Sequence, residues 1–143
     1  MSISLNYLSH KSFAIYGLGV TGRSVIDYFN KHGFKNYIVW DDDNETFKKS
    51  IGPQYKSARS DFLELINFVD HIVVSPGINI SKAKMKKILL KNKRKIITDL
   101  DLFYLLNPGL KSIVVTGTNG KSTTCKIIEH VLKKNNVNVG LGG

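Results

Sequence analysis

Short apolar runs alternate along the chain with stretches whose apolar residues recur every three or four positions. Phe13-Ala14-Ile15-Tyr16 runs into glycines and reads as a buried strand. Residues 21–32 follow as a helix with Val25, Ile26 and Phe29 on one face, and Gly33 is a natural stop. Tyr37-Ile38-Val39-Trp40 is a second strand, closed by the polar turn Asp41-Asp42-Asp43-Asn44. A weak helix over residues 45–50 is broken at Gly52-Pro53, and Ser60 can cap a helix holding Phe62, Leu63 and Ile66. His71-Ile72-Val73-Val74 forms a third strand ending in Ser75-Pro76-Gly77. A lysine-rich helix is predicted from Ser81, and Lys95-Ile96-Ile97-Thr98 is a fourth strand. Alternation of this kind predicts a parallel α/β sheet with right-handed crossovers.

A short helix over residues 99–106 stops at Asn107-Pro108-Gly109, and the pattern then restarts. Ser112-Ile113-Val114-Val115 is predicted as a strand, and residues 117–120 as a glycine loop. Residues 121–134 follow as a helix with Cys125, Ile128, Val131 and Leu132 on one face, then Val137–Leu141 as a further strand. The expected organisation is a Rossmann-like domain over residues 1–98, followed over residues 99–143 by the first βαβ unit of a P-loop domain.

Both glycine loops have the chemistry of phosphate sites. Gly17-Leu18-Gly19-Val20-Thr21-Gly22 matches G-x-G-x-x-G between a strand and a helix. Its glycines permit a tight turn, close approach of backbone to a pyrophosphate, and close helix–strand packing. The helix start adds free N–H groups and partial positive charge. Asp41, nineteen residues past Gly22, stands where dinucleotide-binding proteins keep a ribose-binding acid. In Thr116-Gly117-Thr118-Asn119-Gly120-Lys121-Ser122-Thr123, successive N–H groups can form an anion nest. Lys121 can reach β- and γ-phosphates and Ser122 can give an oxygen to Mg²⁺. Val115 occupies the place of the first glycine of the general P-loop pattern, so this is a variant loop. Ser75-Pro76-Gly77 lies at the carboxyl end of a strand, where ligands of open α/β sheets gather.

Charge and cysteine content narrow the function classes. The net charge of +10 comes from 21 Lys+Arg against 11 Asp+Glu. Eighteen of the basic residues are Lys, however, and only Arg23, Arg59 and Arg94 are Arg, the residue favoured for base readout. The run from Lys82 to Lys95 reads as a solvated helix face rather than a nucleic-acid patch. The single cysteine, Cys125, excludes a disulfide framework and a multi-cysteine metal site. Met1–Asn6 lacks the character of a signal peptide, and no apolar run reaches the roughly 20 residues of a membrane span. These features predict a cytoplasmic setting without membrane insertion.

The glycine turn, Ser75-Pro76-Gly77-Ile78, Asp99-Leu100-Asp101-Leu102-Phe103 and residues 117–123 occur in one order, and together they resemble the Mur ligases, in particular the D-glutamate-adding branch. Val137–Gly143 looks like the same family. The resemblance implies a monomeric three-domain enzyme that binds UDP-N-acetylmuramoyl-L-alanine, ATP and D-glutamate in turn. It implies ATP phosphorylation of the substrate carboxylate and attack of D-glutamate on the acyl phosphate. Val20 and Thr21 would then approach the pyrophosphate, Asp41 and Asp42 the uridine and Gly77 the uracil side, with Gly17, Gly19, Gly22, Ser75 and Pro76 also in the UDP-substrate site. Gly117, Thr118, Asn119, Gly120, Lys121, Ser122 and Thr123 would hold ATP, with Lys121 catalytic and Ser122 on the metal. Family members often carry an arginine shortly after the strand-two aspartate, where this chain has Asp42-Asp43-Asn44. The family's remaining metal, carbamylated-lysine and D-glutamate residues lie beyond Gly143, so the 143 residues alone are expected not to ligate. Two rivals are a stand-alone NAD-binding regulatory module, which leaves the second loop without use, and a nucleic-acid-binding protein, which rests on charge alone.

Overall fold

A computed structural model describes residues 7–50 and 59–142, the side chains of Arg59 and Ser60 excepted. The expectations for Met1–Asn6, the Gly52-Pro53 break, the Ser60 cap and Gly143 lie outside the described residues. The chain divides into two compact units after Gly109.

The first unit follows the alternation read from the pattern. Its elements are β1 (Phe13–Tyr16), α1 (Val20–Lys31), β2 (Tyr37–Trp40), α2 (Asn44–Ser50), α3 (Arg59–Leu65), β3 (His71–Val74), α4 (Lys86–Lys91), β4 (Ile96–Ile97) and α5 (Asp99–Leu106). The four strands form one parallel sheet in the order β2-β1-β3-β4. Alternate residues of β1 face opposite sides, as the period of two requires. Phe13 and Ile15 pack with Val25, Ile26 and Phe29 of α1 and with Leu102 and Leu106 of α5. Ala14 and Tyr16 pack with Phe62, Ile66, Met85 and Leu89 on the other face. The result is a sheet between two helical layers. Because α5 contributes Leu102 and Leu106 to this core, the first compact unit runs to Gly109.

Local chemistry explains where the helices stop and start. Past α1, Gly33 takes φ +75°, Phe34 N–H donates to Phe29 O at 2.9 Å and Gly33 N–H to Asn30 O at 3.3 Å. That is a Schellman stop, and Phe29 stacks on Phe34 across it at 4.6 Å. Thr98 and Asp101 cap α5 reciprocally. The lysine-rich helix is shorter than the expectation from Ser81, because Asn79 Oδ1 accepts both Ser81 N–H and Oγ–H and ties those residues into a turn. Helix begins only at Lys86.

The amino ends of β1 and β3 are tied by Asp70. Its Oδ2 accepts from Ser12 N–H and Ser12 Oγ–H, both at 2.8 Å, and its Oδ1 from Lys11 Nζ at 3.2 Å. The Ser12 backbone bond, then its hydroxyl, hold the Asp70 carboxyl at about 2 against an ordinary 3.8. A depressed folded value stabilises the fold above the ordinary carboxylate range, and that contribution is lost as pH falls toward 2. Asp70→Asn should therefore lower stability at neutral pH, and the gap to the parent should close between about pH 4 and 2 in acid unfolding followed by circular dichroism. A gap independent of pH over that window would overturn this account.

The second unit, from Leu110, contains α6 (Lys121–Lys134) among its described residues. Asn136, at φ +59°, ends it with bonds from Asn136 N–H to Lys133 O and from Val137 N–H to Leu132 O. The strands expected at Ser112–Val115 and Val137–Leu141 are not formed; both segments are irregular. A parallel strand needs a neighbouring ladder, and none of the described strands pairs with either segment. Ile113 and Val114 remain exposed, and the predicted inner face of α6 is only half covered at Cys125, Ile128 and Leu132. Among the described residues this unit is a glycine loop and a helix flanked by irregular segments.

Candidate functional site

Three turns leave the carboxyl ends of adjacent strands, because Tyr16 is in register with both Trp40 and Val74. They begin at Gly17, Asp41 and Ser75. β2 and β3 lie on opposite sides of β1, so this is the sheet's topological switch point, where open α/β sheets take ligands.

The glycine turn is built for close packing below and open space above. Gly17 takes φ +97°, and a Cβ there would meet Ile78 Cγ1 at 2.8 Å. A Cβ on Gly22 would stand 1.9 Å from Gly17 O, so α1 lies directly against the turn. Gly19 has no atom within 4 Å of its Cβ position and is exposed. Helix α1 starts at Gly19 with no side-chain cap and no acid in its first turn. Its first N–H groups are therefore offered outward with the positive end of the helix dipole. Val20 is 87% exposed and Thr21 half-buried beside them.

The three aspartates after β2 are each committed elsewhere in the fold. Asp41 is buried; its Oδ2 accepts Leu18 N–H at 2.6 Å and its Oδ1 accepts Asp43 N–H at 2.8 Å. It braces the glycine turn from beneath. Asp42 Oδ1 accepts from Tyr16 Oη at 2.6 Å and Trp40 Nε1 at 3.1 Å, and Oδ2 accepts Lys84 N–H at 2.8 Å. Burial alone would raise the Asp42 carboxyl, but the bonds from Tyr16, Lys84 and Trp40 outweigh it and hold the group below its usual range. Burial, then the bond to Asp42, raises the Tyr16 phenol. Asp43 Oδ2 accepts Thr46 N–H and Oγ1–H, capping α2. In the third turn Ser75 is buried and donates its Oγ–H to Gly17 O at 2.7 Å, joining it to the glycine turn. Pro76 and Gly77 are exposed, with nothing within 4 Å of a Gly77 Cβ. Sequence reasoning missed Tyr16 and Lys84; the signal for Tyr16 was a polar-tipped aromatic at the end of a buried strand.

In the second unit Gly117 takes φ +148° and Gly120 φ +77°, and Gly120 starts α6 with no side-chain cap and no acid in the first turn. Lys121 Nζ curls over its own loop, donating to Gly117 O at 2.5 Å and Thr118 O at 3.3 Å. Ser122 and Thr123 are exposed beside it. Glu129 is engaged by Lys133 Nζ at 2.7 Å. Among the described residues no group of three His, Cys, Asp or Glu side chains could hold a metal, and no helix is long and apolar enough to cross a membrane.

The sequence profile of the Mur ligase MurD-like N-terminal domain matches residues 11–98, the whole sheet just described. The chain belongs to this Mur ligase family. It is 35% identical over 143 residues to the UDP-N-acetylmuramoylalanine–D-glutamate ligase of Rickettsia prowazekii, covering 97% of this chain and 31% of that protein. It is 36% identical over 149 residues to the ligase of the same name from the Wolbachia of Brugia malayi, covering 99% and 29%. A Buchnera aphidicola ligase of that name is 35% identical over 146 residues, covering 99% and 32%. The chain thus spans about a third of the length of these curated Mur ligase relatives.

Proposed function

We propose that this chain carries the nucleotide-sugar site and the ATP-phosphate loop of a cytoplasmic ligase for peptidoglycan precursors. That enzyme adds D-glutamate to UDP-N-acetylmuramoyl-L-alanine. ATP phosphorylates the substrate carboxylate, the D-glutamate amine attacks the acyl phosphate, and ADP and phosphate leave. The relatives' shared name over nearly the whole chain supports the reaction. The observation that carries the site is the uncapped, acid-free start of α1 at the switch point. Its N–H groups at Val20, Thr21 and Gly22 suit a pyrophosphate, with the Pro76-Gly77 turn beside it for the base. Asp41 and Asp42 would shape that pocket from beneath. In the second unit the Gly117–Thr123 loop suits the ATP phosphates. Ser122 offers the hydroxyl that fits Mg²⁺, an ion that would neutralise phosphate charge.

The same geometry weighs against an NAD-binding module. A ribose-binding acid needs an accessible carboxylate, and Asp41 is buried with each oxygen already accepting a backbone N–H, from Leu18 and from Asp43. Calorimetric titration of the chain with UDP-N-acetylmuramoyl-L-alanine and with NADH separates the two. Binding of the UDP compound alone is expected. Tight NADH binding without it would replace this reading.

A further inference from the structure

We infer that Asp42 is a positioning residue for the nucleotide site, acting as the clasp that holds the segment from Ser75 to Met85 over the carboxyl edge of the sheet. This rests on the nucleotide reading of that edge. The segment is a succession of turns without helix or strand: Ile78 N–H donates to Ser75 O, Lys82 N–H to Asn79 O and Ala83 N–H to Ile80 O. Between its ends Ile78, Ile80 and Ala83 rest against the core, and its two ends are pinned by side-chain hydrogen bonds. Ser75 anchors the near end through Gly17 O and through its own N–H to Tyr16 O at 3.0 Å. Asp42 anchors the far end, accepting Lys84 N–H on Oδ2, while Lys84 Nζ donates back to Asp42 O. Tyr16 closes the clasp, donating Oη–H to Asp42 and accepting Met85 N–H at 3.4 Å.

Three strand ends meet in this one carboxylate: Tyr16 from β1, Trp40 from β2, and the chain leaving β3 through Lys84. With Oδ1 shared by two donors and Oδ2 by a third, Asp42 has little capacity left for uridine. Its effect on a ligand passes instead through the exposed Pro76-Gly77 turn, whose place above the edge it fixes. Tyr16 is fully buried and cannot touch a ligand, so any effect of its hydroxyl on binding is indirect, through its bonds to Asp42 and Met85.

The test is titration of UDP into the full chain, with amide exchange measured on the same proteins. Asp42→Ala should weaken UDP binding roughly tenfold, as expected for loss of charge-assisted hydrogen bonds, and should speed exchange at Lys84 and Met85 while leaving β1 and β3 protected. Asp42→Asn, which keeps an acceptor for Lys84 N–H, should recover most of the loss. Tyr16→Phe should weaken UDP about threefold alone and add nothing in the Asp42→Ala background, because coupled residues are non-additive. Unchanged UDP affinity in Asp42→Ala, or full additivity with Tyr16→Phe, overturns the positioning role. Weaker UDP binding with unchanged exchange at Lys84 overturns it too, and would make Asp42 a direct contact. Should Asp42→Ala fail to fold, Tyr16→Phe, close to the native volume, carries the test: threefold weaker UDP binding must come with faster exchange at Lys84 and Met85. If the unsubstituted chain binds no UDP, the nucleotide reading itself fails, and exchange at Lys84 still reports separately on the clasp.

Discussion

Gly22→Ala is expected to destabilise the first unit by about 3 kcal/mol or more and to remove UDP binding. The added methyl would stand 1.9 Å from Gly17 O and 3.0 Å from Gly17 C, both backbone atoms that no rotamer change can move. Relief requires α1 to lift away from the glycine turn. That motion would pull Val25, Ile26 and Phe29 out of contact with Phe13 and Ile15. Overpacking of a core typically costs about 1–3 kcal/mol, and a backbone obstacle belongs at or above the upper end. For a unit of this size, thermal unfolding should drop by on the order of 10 °C or more. Gly19 makes the contrast. A side chain there meets nothing within 4 Å, so Gly19→Leu should leave the melting temperature nearly unchanged while still blocking a pyrophosphate above the turn. A Gly22→Ala protein that melts with the parent would show that α1 is free to shift, and the close-packing role of the third glycine would fall.

That contrast also shows how far the sequence was legible. The pattern G-x-G-x-x-G names three glycines with three duties, and it places strand, turn and helix correctly because local periodicity dictates all of them. It does not say which glycine is pressed against backbone and which opens to solvent. The three consecutive aspartates are harder still. Spacing made Asp41 a ligand acid, and the family resemblance placed Asp41 and Asp42 at the uridine. In the fold Asp41 braces Leu18, Asp42 clasps Lys84 and Asp43 caps α2. The cap was within local reach. The clasp joins residues 42 positions apart, which no local pattern encodes. Strand order is similarly non-local: β3 lies beside β1 rather than β2, and only this order sets Ser75 against Gly17. The apolar runs at residues 112–115 and 137–141 carry strand propensity, yet strands form by pairing, and none of the described strands pairs with them.

Lys121→Ala is expected to lower ATP-dependent ligation by roughly a hundredfold to a thousandfold in the enzyme that carries these residues, with UDP affinity unchanged. Lys121 is the sole side-chain cation between Gly117 and Thr123, and its ammonium already lies within the curve of the loop on Gly117 O and Thr118 O. The loop's N–H groups and the dipole of the 14-residue α6 survive the substitution. Ground-state attraction for ATP should therefore fall less than the stabilisation of charge that develops as the γ-phosphoryl group transfers. The loss should appear mainly in kcat, with a smaller change in KM for ATP. Lys121→Arg should not restore the rate, because a planar fork cannot replace a compact ammonium inside so tight a loop. UDP affinity should be spared, since Gly19, Val20 and Gly77 belong to the first unit and Lys121 to the second. Steady-state kinetics with varied ATP, alongside UDP titration of the same variant, give both readings. Equal loss of UDP and ATP affinity would merge the two sites into one. Retention of the parent kcat would leave the second glycine loop without the phosphate chemistry assigned to it.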